Sequence, residues 1–128
     1  MNAKALWGVV VAGGLVGCAA QGTAVGDVER GRRVFVEREQ GHCVICHAAP
    51  GVAQAGNVGP PLAGVGSRLS QTEIRIRVED ITRVNPDAVM PAFHKVEGLQ
   101  RVVKGQAGKP LLSTQQVDDV VAYLSSLK

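Results

Sequence analysis

Aromatic side chains are scarce in this chain, whose 128 residues include one tryptophan, one tyrosine and two phenylalanines. A length that leaves room for a single domain cannot build a large core from Val, Leu, Ile and Ala alone, so a bound cofactor is expected to supply apolar mass. An excess of one charge is also missing. With Lys4 set aside, thirteen cations stand against eleven carboxylates, interspersed along the chain, which is too weak an asymmetry for nucleic-acid binding. The stretches "RRVFVERE" and "EIRIRVED" carry both signs and read as solvated helix faces, with room only for a modest positive patch that meets an acidic partner. No internal repeat and no convincing strand pair is present, so the fold class expected is all-α.

Long hydrophobic runs are confined to the first residues. Lys4 precedes "ALWGVVVAGGLVG", which is short for a bilayer span and ends in small residues, as a targeting segment does. The expected organisation is a signal peptide over residues 1–24 and one domain over 25–128. The run closes on "LVGC", Leu15 to Cys18, which resembles a bacterial lipobox in which Cys18 is lipidated and becomes the new N-terminus. The other reading is an ordinary secretory signal cut near Ala20 or Ala24, with Cys18 discarded. Both predict an exported, periplasmic protein, and only the first ties it to a membrane.

Three helices are legible. Asp27 to about Gln40 puts Val28, Gly31, Phe35 and Glu39 on one side of a helix, with Val34 and Val36 flanking it, Asp27 as N-cap and Gly41 as the stop. Ser70 to Thr82 opens with Ser70 three residues before Glu73 and continues through Ile74, Val78 and Ile81. The last segment has Ser113 three residues before Gln116, then Val117, Val120, Val121, Leu124 and Leu127, while Asp118, Asp119 and Lys128 suit the helix dipole. Between them "APGVAQAGNVGPPLAGVGS" and "VNPDAVMPAFHKVEG" are too rich in Gly and Pro for regular structure. Ordered loops of that length in so small a domain need an organiser other than side-chain packing.

The chain has three cysteines in all, and two of them stand in "GHCVICHAAP". Cys43, Cys46 and His47 form C-x-x-C-H, the spacing of a c-type haem attachment site. Two thiols three residues apart on one tight turn reach the two vinyl groups of one porphyrin, and the next histidine is then held under the iron. Rival uses of the spacing fit less well. A redox-active C-x-x-C follows a strand, whereas the upstream segment here is helical. Structural zinc needs about four ligands, and beyond the motif and Cys18 only His42 and His94 could contribute. A disulfide between Cys43 and Cys46 would close a small, strained ring.

Met90 is the sole methionine after Met1, and its setting between Pro86 and Pro91 in "NPDAVMPAF" makes it the candidate for the sixth iron ligand. His94 competes for that position and would give a bis-histidine iron of lower potential. His42 lies beside the attachment turn and is expected to be structural or exposed. "GPPL", Gly59 to Leu62, offers a rigid turn whose carbonyl can hold the outer nitrogen of His47. No constellation suited to catalysis is seen.

With these residues together the chain resembles class I cytochromes c over nearly the whole length after residue 24. The resemblance implies one covalent haem c, terminal helices that cross where Gly31, Phe35 and Tyr123 meet, and Pro60 as the source of the carbonyl for His47. More narrowly, "GNVGPPLAGVGSRLS", "RVNPDAVMPAF" and "GKPLLSTQQVDDVVAYLSSLK" are similar to the SoxX family, the monohaem subunits of SoxAX cytochromes in thiosulfate oxidation. That likeness implies a SoxA-like cytochrome as heterodimer partner. It also implies a role as electron acceptor while thiosulfate is joined to the SoxYZ carrier, so the chain is an enzyme only as the electron-transfer subunit of an L-cysteine S-thiosulfotransferase, with a further cytochrome downstream. The apparent lipobox is a departure from that family. Two other functions stay open at this level: a free-standing periplasmic shuttle to a terminal oxidase, and a haem sensor or peroxidase-like subunit with an open iron position.

Overall fold

The computed structural model describes residues 25–128, so the expected signal peptide over 1–24 and Cys18 lie outside the described residues. Four α-helices occur there, α1 (Val28–Val36), α2 (Val65–Arg68), α3 (Gln71–Asp80) and α4 (Thr114–Ser126), and no strand forms among the described residues. Short 3₁₀ turns stand at Cys43–Ile45, Ile81–Arg83 and Lys104–Gln106.

Local chemistry sets the helix starts. The Asp27 carboxylate accepts the Arg30 amide at 2.7 Å and caps α1. Ser70 with Glu73, and Ser113 with Gln116, form reciprocal capping boxes at the heads of α3 and α4, as their spacing predicts. The α1 end is different. The helix stops at Val36 instead of running to Gln40: Glu37 is extended, and the chain turns so that the Gly41 amide donates back to the Val34 carbonyl at 3.0 Å. The residues beyond Val36, "EREQ", offer no apolar side chain to bury, and the chain turns where packing ceases to hold it. The buried face is also rotated from the expected one. Val34 is 2% exposed while Val28 is 41% exposed, because the crossing with α4 selects the edge carrying Gly31, Val34 and Phe35.

That crossing organises the molecule. A Cβ on Gly31 would lie 1.9 Å from the Asp119 carbonyl oxygen, so only glycine lets the two backbones approach this closely. Phe35 and Tyr123 pack beside it with ring centroids 5.5 Å apart and planes tilted by 58°. Gly31→Ala therefore forces the helices apart, and we expect a loss of about 3 kcal/mol, read as a Tm fall of roughly 15 °C. An unchanged Tm would mean that the crossing is not tight.

A buried ion pair locks the same junction. Asp119 is 2% exposed; it accepts from the Asp27 amide at 2.8 Å, from Arg30 Nε at 2.9 Å and from Gln115 Nε2 at 2.9 Å. Burial alone would push its carboxyl up, but the Arg30 guanidinium and the two amides outweigh burial and hold it below the ordinary carboxylate range. A carboxyl lowered in the folded state contributes stability that is present above its unfolded value, near about 4, and lost as pH falls through the lower native value. Asp119→Asn should cost about 2 kcal/mol at neutral pH, the half-exposed Arg30 end limiting the loss, and should flatten the acid limb of a stability–pH curve below about pH 4. Parallel curves for the two proteins would remove Asp119 from the acid response.

The rest of the core is layered on α4. Ile74 and Val78 of α3 are buried, and Arg75 of α3 pairs with Asp118 of α4. The α2 turn, unforeseen in a Gly-rich stretch, is tied to the chain end by the Gly66 amide donating to the Leu127 carbonyl at 2.9 Å. Phe93 and Leu112 enter the core from loops; the Leu112 amide donates to the Phe93 carbonyl at 2.8 Å, and the Phe93 amide to Val78 of α3 at 3.2 Å.

Candidate haem-attachment site

The turn that carries both thiols begins at His42, whose φ of 46° and ψ of 40° place it in the left-handed region. Such a conformation costs a non-glycine residue roughly 1 kcal/mol and reverses the chain into the 3₁₀ turn. The Cys46 and His47 amides then both donate to the Cys43 carbonyl, at 3.1 and 2.9 Å, so the three motif residues share one hydrogen-bonded turn. Val44 between the cysteines is buried and Ile45 is exposed. No disulfide joins Cys43 to Cys46.

A second strip of chain is zipped onto this turn. Gly56 donates to the Val44 carbonyl at 2.7 Å, Gly59 to Cys46 at 2.8 Å and Leu62 to Ala48 at 2.8 Å. These bonds bring "GPPL" against the imidazole of His47, and a Cβ on Gly59 would stand 2.3 Å from the ring's Cε1. His47 Nδ1 lies 2.7 Å from the Pro60 carbonyl oxygen. A carbonyl can only accept, so Nδ1 carries the proton and Nε2 keeps the ring's lone pair for a metal. The bond expected on resemblance is thus present. Gly59 enters the sequence reading only as the start of "GPPL" and Gly56 does not enter it, although two glycines three apart lead into the proline pair.

Met90 is half-buried and packs against the core, as do Val52, Leu62 and Leu69. Its loop is turned by Asn85, which accepts the Asp87 amide on its side chain at 3.2 Å and the Ala88 amide on its backbone, also at 3.2 Å. In His94 one ring nitrogen is engaged: Nδ1 donates to the Leu112 carbonyl at 2.8 Å, and the backbone amide donates to Glu79 at 3.1 Å. His42 is half-buried at the head of the attachment turn.

This chemistry fits a covalent porphyrin better than the rival uses of the spacing. Burial pushes the Cys43 thiol up to about 12, with a smaller push from Cys46 beside it, so Cys43 is a neutral thiol at pH 7 and not the thiolate that dithiol exchange requires. Among the described residues no group of three or more His, Cys, Asp or Glu side chains is placed to hold a zinc ion.

Comparison with known proteins agrees. The family model for cytochrome c matches residues 28–128. A crystal structure of SoxXA from P. pantotrophus superposes with a TM-score of 0.75 at 37% identity, covering 83% of this chain and 85% of that one. The chain belongs to the cytochrome c family, in its SoxX group. Its cofactor is accordingly covalently bound haem c. The c-type cytochrome SorU from Sinorhizobium meliloti shares the fold alone, at 22% identity and a TM-score of 0.52 over 78% of this chain and 88% of that one. A cytochrome c-553-like protein of Synechocystis sp. is 43% identical over 49 residues, 38% of this cytochrome, and that match spans only 40% of the relative's length.

Proposed function

We propose that this cytochrome is the electron-accepting subunit of a SoxAX-type complex, paired with a SoxA-like cytochrome that joins thiosulfate to the SoxYZ carrier, and that it passes the electrons to a further cytochrome. Cys43 and Cys46 are assigned as the thioether attachment points, His47 and Met90 as the axial ligands, and Pro60 as the residue that orients His47. The observation that carries the reading is the 37% identity to the SoxXA chain over most of both lengths. The haem, when bound, supplies a one-electron couple. The chain's own residues orient and enclose it. Pro60 holds the His47 ring electron-rich and fixed, and Gly59 lets the backbone lie close against that ring. Met90 is assigned over His94 on the cytochrome c likeness, in which the loop after the third helix brings a methionine to the iron. A His/Met iron closed to substrate has a raised potential, as an acceptor needs, and catalysis would belong to the complex and not to this subunit alone.

Lys4, the apolar run and "LVGC" support export to the periplasm, with Cys18 either lipidated or removed. Mass spectrometry of the processed N-terminus distinguishes an acylated Cys18 from a chain starting past Ala20 or Ala24. Affinity purification from the native source tests the complex. A second, larger haem subunit identified as SoxA-like supports it, and recovery of this cytochrome alone, reduced indiscriminately by many donors, contradicts it.

A further inference from the structure

Residues 96–111 form a loop of sixteen residues that leaves the body of the domain and returns, and 96–109 are exposed without a break. Its neck is closed firmly. The Leu112 amide bonds the Phe93 carbonyl, His94 Nδ1 bonds the Leu112 carbonyl, and Lys95 pairs with Asp80 at 3.0 Å. Beyond the neck the hydrogen bonds of this segment are internal, Gln106 to Val103 at 2.7 Å and Lys109 to Gln106 at 3.0 Å. An excursion this long is unusual in a compact domain and marks function or a linker; the fixed neck makes it a presented element and not a tether.

What it presents is apolar and basic. Val96, Leu99, Val102, Val103 and Leu111 are all exposed, Val103 at 74%. Folding gains little from apolar side chains left in water in such a group, and exposed apolar clusters mark surfaces that another molecule covers. Arg101, Lys104 and Lys109 rise among them against the single carboxylate Glu97.

We propose that the loop 96–111 is the docking element for the partner cytochrome subunit, received by an apolar hollow whose rim carries carboxylates. The inference rests on the complex proposed above and names the surface through which it forms. Exposed valines and leucines with cations interspersed among them along the segment suit a contact that is apolar and steered electrostatically toward an acidic partner. An anionic membrane is a poorer match, because the segment has no aromatic residue and no helix beyond one 3₁₀ turn, whereas interfacial anchors present an amphipathic helix with Trp or Phe.

The test uses the haem-loaded, processed protein and the purified SoxA-like subunit as the probe, with binding rates measured at low and at physiological salt. The wild type binds. Lys104→Glu with Lys109→Glu should slow association by about tenfold or more at low salt, and Val103→Asp should speed dissociation by about tenfold. Arg38→Glu with Arg83→Glu makes the same change in net charge elsewhere on the surface and should alter binding less than about threefold. Unchanged haem spectra and Tm certify each fold. If the loop variants bind as the wild type does, or the control variant loses as much, the loop is not the docking element. If the loop variants keep the partner but lose binding to vesicles of anionic phospholipid, the loop is a membrane contact and the inference is overturned. Failure of the wild type itself to bind the subunit removes the proposed complex, and the docking assignment with it.

Discussion

Replacing Cys43 and Cys46 together with alanine is expected to yield a chain without haem and without a cooperative unfolding transition. The whole sequence has four aromatic residues, and of these Phe35, Phe93 and Tyr123 are already used in the core. The remaining buried side chains are one buried aspartate and a set dominated by valine, and Val52, Leu62, Leu69 and Met90 are only partly covered by the protein itself. A described domain of about a hundred residues with long irregular segments has little margin from such a core. Its Gly- and Pro-rich loops also pay backbone entropy on ordering, which the porphyrin contacts would offset. Far-UV circular dichroism during thermal unfolding reads the result. A folded, haem-free double variant with a sharp transition would show that the polypeptide organises itself and that the ring is only a passenger.

The second large effect concerns Met90. Met90→Ala should leave haem attached, because the thioether links do not involve this residue, while the reduction potential falls by on the order of 100 mV or more and the reduced iron binds carbon monoxide. The loop that carries Met90 is anchored independently of its side chain, by the Asn85 turn before it and by Phe93 and His94 bonded to α3 after it, so the substitution opens the site without unravelling its surroundings. An unchanged potential and no carbon monoxide binding would take Met90 out of the coordination sphere. His94→Phe then separates the remaining possibilities: if Met90 is the ligand, losing the bond from His94 Nδ1 to the Leu112 carbonyl should lower stability more than potential.

Features set by neighbours in sequence were the legible ones. Both capping boxes and the apolar spacing of α4 depend on residues within a turn of each other, and the structure reproduces them; α3 starts as its spacing predicts but gives way at Ile81 to a 3₁₀ turn, short of Thr82, and Cys43, Cys46 and His47 share one tight turn. Features set by distant neighbours were not. Asp119 reads as a dipole-complementing residue near a helix start, yet its role is to pair with Arg30, 89 positions away, at the crossing of α1 and α4. The end of α1 falls at Val36 and not near Gln40 because "EREQ" holds good helix formers but no apolar side chain to pack. The crossing of Gly31 with Tyr123, by contrast, was anticipated from family resemblance, because periodicity alone carries no information about which helices meet. The loop 96–111 has composition without period, and only the closed neck shows that it is presented as a unit.

The central claim is that one porphyrin is held through Cys43 and Cys46 above His47. Peptide mass spectrometry of the processed native protein tests it most directly. The account predicts that the peptide containing "CVICH" carries a single haem bonded through both cysteines, with no unmodified form in the folded fraction. Recovery of that peptide from folded protein with two free thiols, or with a disulfide, would contradict it.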